Sequence, residues 1–511
     1  MTEFLSRGLK ILTLILFLSS HSCYAATIRY VNINNATPGD GTTWAKAFNN
    51  LQTALSTATI FEDIWIAKGT YLPSLPAGRS ATFSLPIYVN LYGGFNGTET
   101  DVSQLDPTLN PTILSGDIGV AGNASDNCYH VVTVNNTGWP TLHDLTIANG
   151  QADAGYPGST VQQADNTGGG ILELSGSSSA SPTFELFNCI LRDNFAVYGG
   201  GVGAYVYGGG SYTQQQGHEC LFYNNQAVYG GAISASNDGS DGILIYESCI
   251  FNNNTALTGN ASVIASSMTN TAGKSESCTI NNCLFYNEAV PLFYVQISNV
   301  PGYHYSVENS IIWTPGTPYT GGYTSGNGTI PISSSDIKGT LPAGGNIDAD
   351  PLFADAPGGD FHVSPCSPVI DKGSNAPSQN PPVDYGGSAR VQGVAIDIGA
   401  YETPLGAPAL KPTATAPAPY CQNVTAAALS ATGTNLLWYD VATGGVGSAT
   451  APTPSTTGSG SSYWVSQTPA GSCESPRLEI DVTIKPSSTA PAASSPTYCQ
   501  NAAATALTAS G

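Results

Sequence analysis

Charge is what this chain lacks most. Only 10% of its 511 residues are Asp, Glu, Lys or Arg, and 14 Lys or Arg stand against 35 Asp or Glu. A formal net charge of −21 with so few cations leaves no basic stripe, which excludes counterion-driven binding of nucleic acid or of an anionic lipid surface. It also argues against a grip along a polyuronate without calcium. Long apolar runs are missing too: no segment reaches the ~20 residues needed to span a bilayer, so no membrane span is expected. Long helices are disfavoured by 58 Gly and 34 Pro, while a hydrophobic content of 41% is too high for a disordered chain.

The N-terminus reads as a signal peptide over 1–25. Arg7 and Lys10 supply the positive region, Ile11 to Leu18 the apolar one, and Ala25 and Ala26 the small residues for cleavage. Cys23 invites a lipoprotein reading, but Ser20-His21-Ser22 makes a poor lipobox. The expected compartment is therefore secreted, extracellular or outer cell surface, where disulfides can form.

What the chain has instead is a repeat. CILRDNFAVYGGGV starts at Cys189, CLFYNNQAVYGGAI at Cys220, CIFNNNTALTGNAS at Cys249, and a degenerate CLFYNEAV at Cys283. A period near 30 residues signals stacked supersecondary units. Short apolar runs separated by Gly, Asn and Pro read as strands. In a coil of such strands, equivalent positions lie about 4.8 Å apart and stack into ladders. Asn194, Asn225 and Asn254 are then expected to form an amide ladder at a bend. Gly199-Gly200, Gly230-Gly231 and Gly259 are expected at the next corner. Cys189, Cys220, Cys249 and Cys283 would stack in the core as free thiols, or less favourably as bridged neighbours. Residues 41–56 read as one helix, N-capped by Thr43, closing the first coil. Together 26–404 predicts about a dozen coils, with 346–402 as the far end.

After a Pro/Ala-rich linker at 405–418, a second repeat begins. YCQNVTAAALSATG at 420–433 recurs as YCQNAAATALTASG at 498–511. The 419–486 unit suits a small β-sandwich, and 487–511 a linker and the start of another, so further modules are expected in a longer chain. Two cysteines in one small exported β-domain, Cys421 and Cys473, are expected to bridge.

These strings carry resemblances. FYNN and FNNN beside GGAI resemble the repeats of chlamydial polymorphic outer-membrane proteins, which are right-handed parallel β-helices. DGTTWAKAFNNLQTAL, LYGGFNGTET, PTILSGDIG, GDFHVSPCSPVIDKG and VAIDIGAYE look like secreted bacterial β-helix proteins of the pectate-lyase-like type. The 420–486 unit is similar to Ig-like repeats of large surface proteins in gliding Bacteroidetes. The resemblance implies an all-β chain: a right-handed parallel β-helix with an N-terminal capping helix, then Ig-like β-sandwich modules. It leaves activity open, because such helices host lyases, hydrolases, adhesins and spacers alike.

For a lyase, Arg192 and Asp193 are the sole cation–carboxylate pair in the repeats, and no carboxylate cluster builds up beside them. For a hydrolase, His218 lacks an Asp pair. Asp348, Asp350, Asp355 and Asp360 form the densest acidic group; they suit Ca2+ or, more economically, turn capping. Tyr198, Tyr205, Tyr207, Tyr223 and Tyr229 are candidates for stacking on sugar rings, or else for half-buried strand positions. The function expected is a non-catalytic adhesin or glycan-binding helix on an Ig-like stalk, needing no cofactor. A polysaccharide lyase or glycoside hydrolase, or a passive spacer, are the alternatives.

Overall fold

The computed structural model describes residues 27–510, apart from 74–77, 136–137, 176–181, 207–212, 239–240, 270–275, 289–290, 297–302, 315–322, 326–329, 340–343, 377–380, 405–409, 470–472, 488–490 and 494. The expected signal peptide lies outside the described residues. No helix among them is long and apolar enough to cross a membrane.

Why the repeat folds as it does is visible in one coil. Thr183–Phe187, Ile190–Arg192, Phe195–Tyr198 and Val202–Val206 are four short strands, each entering a different sheet. The first sheet has ten strands, from Thr27–Val31 to Ile332–Ser333. The second has nine, from Gly69–Tyr71 to Asp336–Ile337. The third has four, from Gln151–Ala152 to Thr255–Asn260, and the fourth eight, from Phe83–Ser84 to Tyr323–Ser325. Neighbours pair parallel and in register, as Thr183↔Gln214 and Gln214↔Ile243 show on three successive levels. A strand this short cannot bury a face alone, so each coil is stabilised by the coils above and below. Among the described residues the first sheet makes ten levels rather than a dozen, because insertions such as 151–167 lengthen single coils and 353–401 adds no strand to it.

Corners are set by backbone chemistry. Asp144, Asn188, Glu219, Ser248, Asn282 and Asn309 take positive φ between the first and second sheets. Asn149, Asp193, Asn224 and Asn253 do so between the second and third, and Asn287 does so just after the second. Asn and Asp tolerate this region best among side-chain-bearing residues, which explains the recurring Asn-Asn and Asp-Asn pairs. At the third corner Ala261 (φ 53°) stands where Gly259 was expected, Gly259 lying within the strand Thr255–Asn260. At the two levels before it, Gly199 (φ 69°) and Gly230 (φ 66°) would place a Cβ 2.0 and 2.1 Å from Val202 O and Ile233 O. Gly230→Ala is therefore expected to lower the unfolding free energy by about 2–3 kcal/mol. Gly122→Ala, at φ 77° with no neighbour within 4 Å, should cost only about 1. Urea unfolding of the two variants checks this.

Inside, Phe222, Phe251 and Phe285 stack at 4.9 and 5.1 Å between ring centroids. The N-terminal cap is shorter than expected. Thr43 caps only the 3-10 turn Trp44–Lys46, and a separate helix, Leu51–Thr57, is capped by Asn50. The break comes from Phe48, whose backbone bonds to Tyr30 O and Asn32 N and so pairs extended with the first strand. Leu51, Ala54 and Leu55 then cover the open end of the core. Residues 353–401 do not simply continue the stack. Phe361, Val369, Ile398 and Ala400 pack on Ile250, Leu284 and Ile311, covering the outer face of the second sheet.

A second compact unit comprises 404–511 together with Ser364–Cys366. Leu437–Tyr439, Gly460–Ser466, Leu478–Lys485 and Tyr420–Cys421 form a sheet over Leu429, Trp438, Val465, Ile480, Val482 and Ile484. Residues expected to be linker join it: Thr413 and Thr432 exchange backbone hydrogen bonds at 3.0 and 2.7 Å. The expected Cys421–Cys473 bridge is not formed. Cys473 bonds to Cys366, with Cα atoms 5.3 Å apart, and Cys421 is an exposed thiol. Cys366 lies 107 residues away in sequence, so no spacing within the module could point to it.

Candidate functional site

The ladders form as expected, and they are structural. Asn194 donates its amide to Asn225 Oδ1 and Asn225 to Asn254 Oδ1, each at 3.0 Å. All three are buried, and each amide also reaches a backbone carbonyl: Ile147 O, Leu191 O and Phe222 O. The row ends on Glu288, which accepts from Asn254 Nδ2 at 2.8 Å and from Asn254 N at 3.1 Å. Glu288 is itself buried, and burial pushes its carboxyl up to about 8. Cys189, Cys220, Cys249 and Cys283 are buried free thiols, continued by Ser310 and Ser335.

Arg192 and Asp193 pair with each other, and Asp193 Oδ1 accepts from Asn224 Nδ2 at 3.3 Å. Asn253 and Asn287 extend this exposed row, so Asp193 is the first member of a second, outer amide ladder. The four aspartates stay apart in role. Asp350 accepts from Leu352 N, Asp355 from Gly358 N, and Asp360 from His362 N and Nδ1, while Asp348 is exposed. Among the described residues no group of three or more His, Cys, Asp or Glu is placed to hold a metal ion.

The tyrosines do not share a face. Tyr223 belongs to the second sheet, Tyr198 and Tyr229 to the third, and Tyr205 to the fourth; Tyr207 lies outside the described residues. Tyr198 and Tyr229 meet, stacked at 5.0 Å. Tyr198 also donates its hydroxyl to Thr160 O.

The outer face of the first sheet is where rings and polar groups converge, and the sequence hid it. Tyr92, His143, Phe187 and His218 stack in a row, with centroids 4.3, 4.7 and 4.9 Å apart and planes within 14° of parallel. Because each ring covers its neighbour, the row presents ring edges as a straight, half-buried apolar ridge. Alongside it, Asn90 donates to Asp63 Oδ1 and Thr141 donates to Asn90 Oδ1, each at 2.9 Å, and Glu185 and Gln216 continue the column. On the other flank is the corner carrying Asp144, Asn188 and Glu219, where Asn188 Nδ2 donates to Asp144 Oδ1 at 2.6 Å. The members stand at positions 92, 143, 187 and 218, spacings of 51, 44 and 31 that show no period. Only the register of the sheet aligns them.

Burial dominates the electrostatics of this face. It raises Asp63, lifts Asp144 to about 6 and Glu219 to about 7, and lowers His143 to about 4. His218 moves up against its own burial because Glu247 Oε2 sits 3.2 Å from its Nδ1. Asp63 and Asp144, held partly out of water and bonded to neutral amides, mark a surface prepared to meet a cation or a proton.

The class defined by these features is a parallel β-solenoid followed by an Ig-like module. Residues 408–486 match the family described as Ig-like domain CHU_C associated. Among solved structures, the chain is similar to the crystal structure of pectate lyase Pel9A, with 14% identity and a TM-score of 0.37. The alignment covers 73% of this chain and 96% of that one. No curated protein matches the chain.

Proposed function

We propose that this is an extracellular, surface-displayed, non-catalytic glycan-binding protein whose solenoid holds an extended polysaccharide on the outer face of the first sheet. The observation that carries this reading is the pairing of two columns, the ring ridge Tyr92–His143–Phe187–His218 and the hydrogen-bonding row Asp63–Asn90–Thr141–Glu185. Both repeat at each level, about 4.8 Å apart, along a straight axis. A polyhydroxylated polymer offers the matching pattern: apolar C–H edges beside hydroxyls. The Ig-like module would serve as spacer.

Affinity electrophoresis of the chain through gels containing single polysaccharides tests this. Retention is expected for at least one neutral or amine-bearing polymer. Phe187→Ala should reduce retention about tenfold or more, since it removes the centre of the ridge. Tyr198→Ala, on another sheet, should not. Retention untouched by Phe187→Ala would sink the proposed face. A second reading, hydrolysis, is favoured by the raised carboxyls Asp144 and Glu219 on one corner. Release of reducing ends in the same samples would establish it.

A further inference from the structure

We infer that the polymer taken by this face carries ammonium groups, making it a polysaccharide of free amino sugars rather than a neutral or uronic one. The inference rests on the glycan-binding reading and adds the charge of the ligand. Between Asn90 and Glu247, the two outward columns and the adjoining corner contain no Lys or Arg among the described residues. They do contain Glu185, Asp144, Glu219 and Glu247, with Asp63 one level above. Two cations lie beside them: His218, which Glu247 faces at 3.2 Å, and the buried Arg390, which donates to Asn282 O at this corner and acts on Glu219.

Asp63 and Asp144 meet neutral partners, the Asn90 amide and the Asn188 amide. Asp144, Glu185 and Glu219 stand on successive levels about 4.8 Å apart, so a row of ligand cations can meet them in sequence. Burial raises Asp63 and Asp144 beside amides that bring no counter-charge, and an ammonium group would supply one. A polyuronate would instead place carboxylate against carboxylate in a partly desolvated strip, which is repulsive.

The test uses the full chain and isothermal titration with three six-residue oligosaccharides of one linkage: glucosamine, N-acetylglucosamine and glucose. At pH 6 and low salt, glucosamine hexamer should bind about tenfold more tightly than either neutral oligomer, as several exposed ion pairs in series would give. That advantage should shrink as salt rises. The paired substitution Glu185→Gln with Glu219→Gln should abolish the preference, whereas Glu479→Gln in the Ig-like unit should not. Equal affinity for amine and neutral oligomers would overturn the charge assignment and leave the glycan-binding reading standing. No binding to any of the three, or to the polymers in the gels, would overturn both. A hexalysine peptide bound as tightly as glucosamine hexamer would show charge alone at work and overturn the sugar class. A preference that survives the paired substitution in a protein of unchanged melting temperature would place amine binding elsewhere and overturn the site.

Discussion

Replacing Asn225 by leucine is expected to lower the unfolding free energy by about 3–5 kcal/mol, although the two side chains are nearly the same size. Asn225 accepts from Asn194 and donates to both Asn254 and Leu191 O, all fully buried. Leucine takes the shared acceptor from both the side-chain and the backbone N–H of Asn194 and removes the side-chain donor to Leu191 O, and each buried orphan costs about 1–3 kcal/mol. Asn254 Oδ1 keeps its bond from the backbone N–H of residue 225, so the loss stops there. The adjacent outer ladder supplies the contrast. Asn224 has φ 54° and exchanges amide bonds at the surface, so Asn224→Gly, which suits that backbone, should stay within about 1 kcal/mol. Equal costs at 224 and 225 in urea unfolding would refute a burial-driven ladder.

The second large effect is on pH. Glu288 and Glu173 are both buried with carboxyls raised to about 8, Glu173 accepting from Gln215 Nε2 at 2.7 Å and from Gln214 N at 3.2 Å. Unfolded glutamate titrates near 4.3, so between about 4.5 and 8 the native chain holds protons that the unfolded chain has released. Native binding of more protons makes stability fall as pH rises, by up to about 1.4 kcal/mol per pH unit for each group across that window. Glu219, Asp336 and Glu402, each raised to about 7, and Asp144, raised to about 6, act in the same direction. His143, lowered to about 4, acts oppositely but only below about 6.5. The chain should therefore be less stable at pH 8.5 than at pH 6.5 by several kcal/mol. Glu288→Gln should remove a share of that slope, because a neutral amide can still accept from Asn254 without needing a proton. Urea midpoints of wild type, Glu173→Gln and Glu288→Gln at the two pH values measure it. A flat profile for the wild type would contradict the burial of these charges.

Much of the solenoid was legible because its determinants are local and repeat. Cys, Asn and Gly recur at fixed offsets since each level must solve the same three corners, and a stacked arrangement puts equal residues together. Glu288 could be read as a member of the Asn column from its place after Cys283, though not that it would end the row. The helix at 41–56 misled because Trp44, Ala47, Phe48, Leu51 and Leu55 satisfy a helical period. The backbone pairing of Phe48 with Tyr30 and Asn32, a contact to another strand, overrides that period. The Cys421–Cys473 pairing misled for the same kind of reason, since Cys366 reaches Cys473 only in three dimensions.

By itself, the sequence determined the all-β class, the repeat, the identities of the inner ladders and the start of a second module. Those follow from backbone conformation and from residues separated by one period. Tertiary structure alone decided which face carries a candidate site. Tyr92, His143, Phe187 and His218 come from levels of unequal length, and parallel register is what brings them into one row. It also decided that 353–401 covers the second sheet, because that choice depends on matching apolar surfaces far apart in the chain.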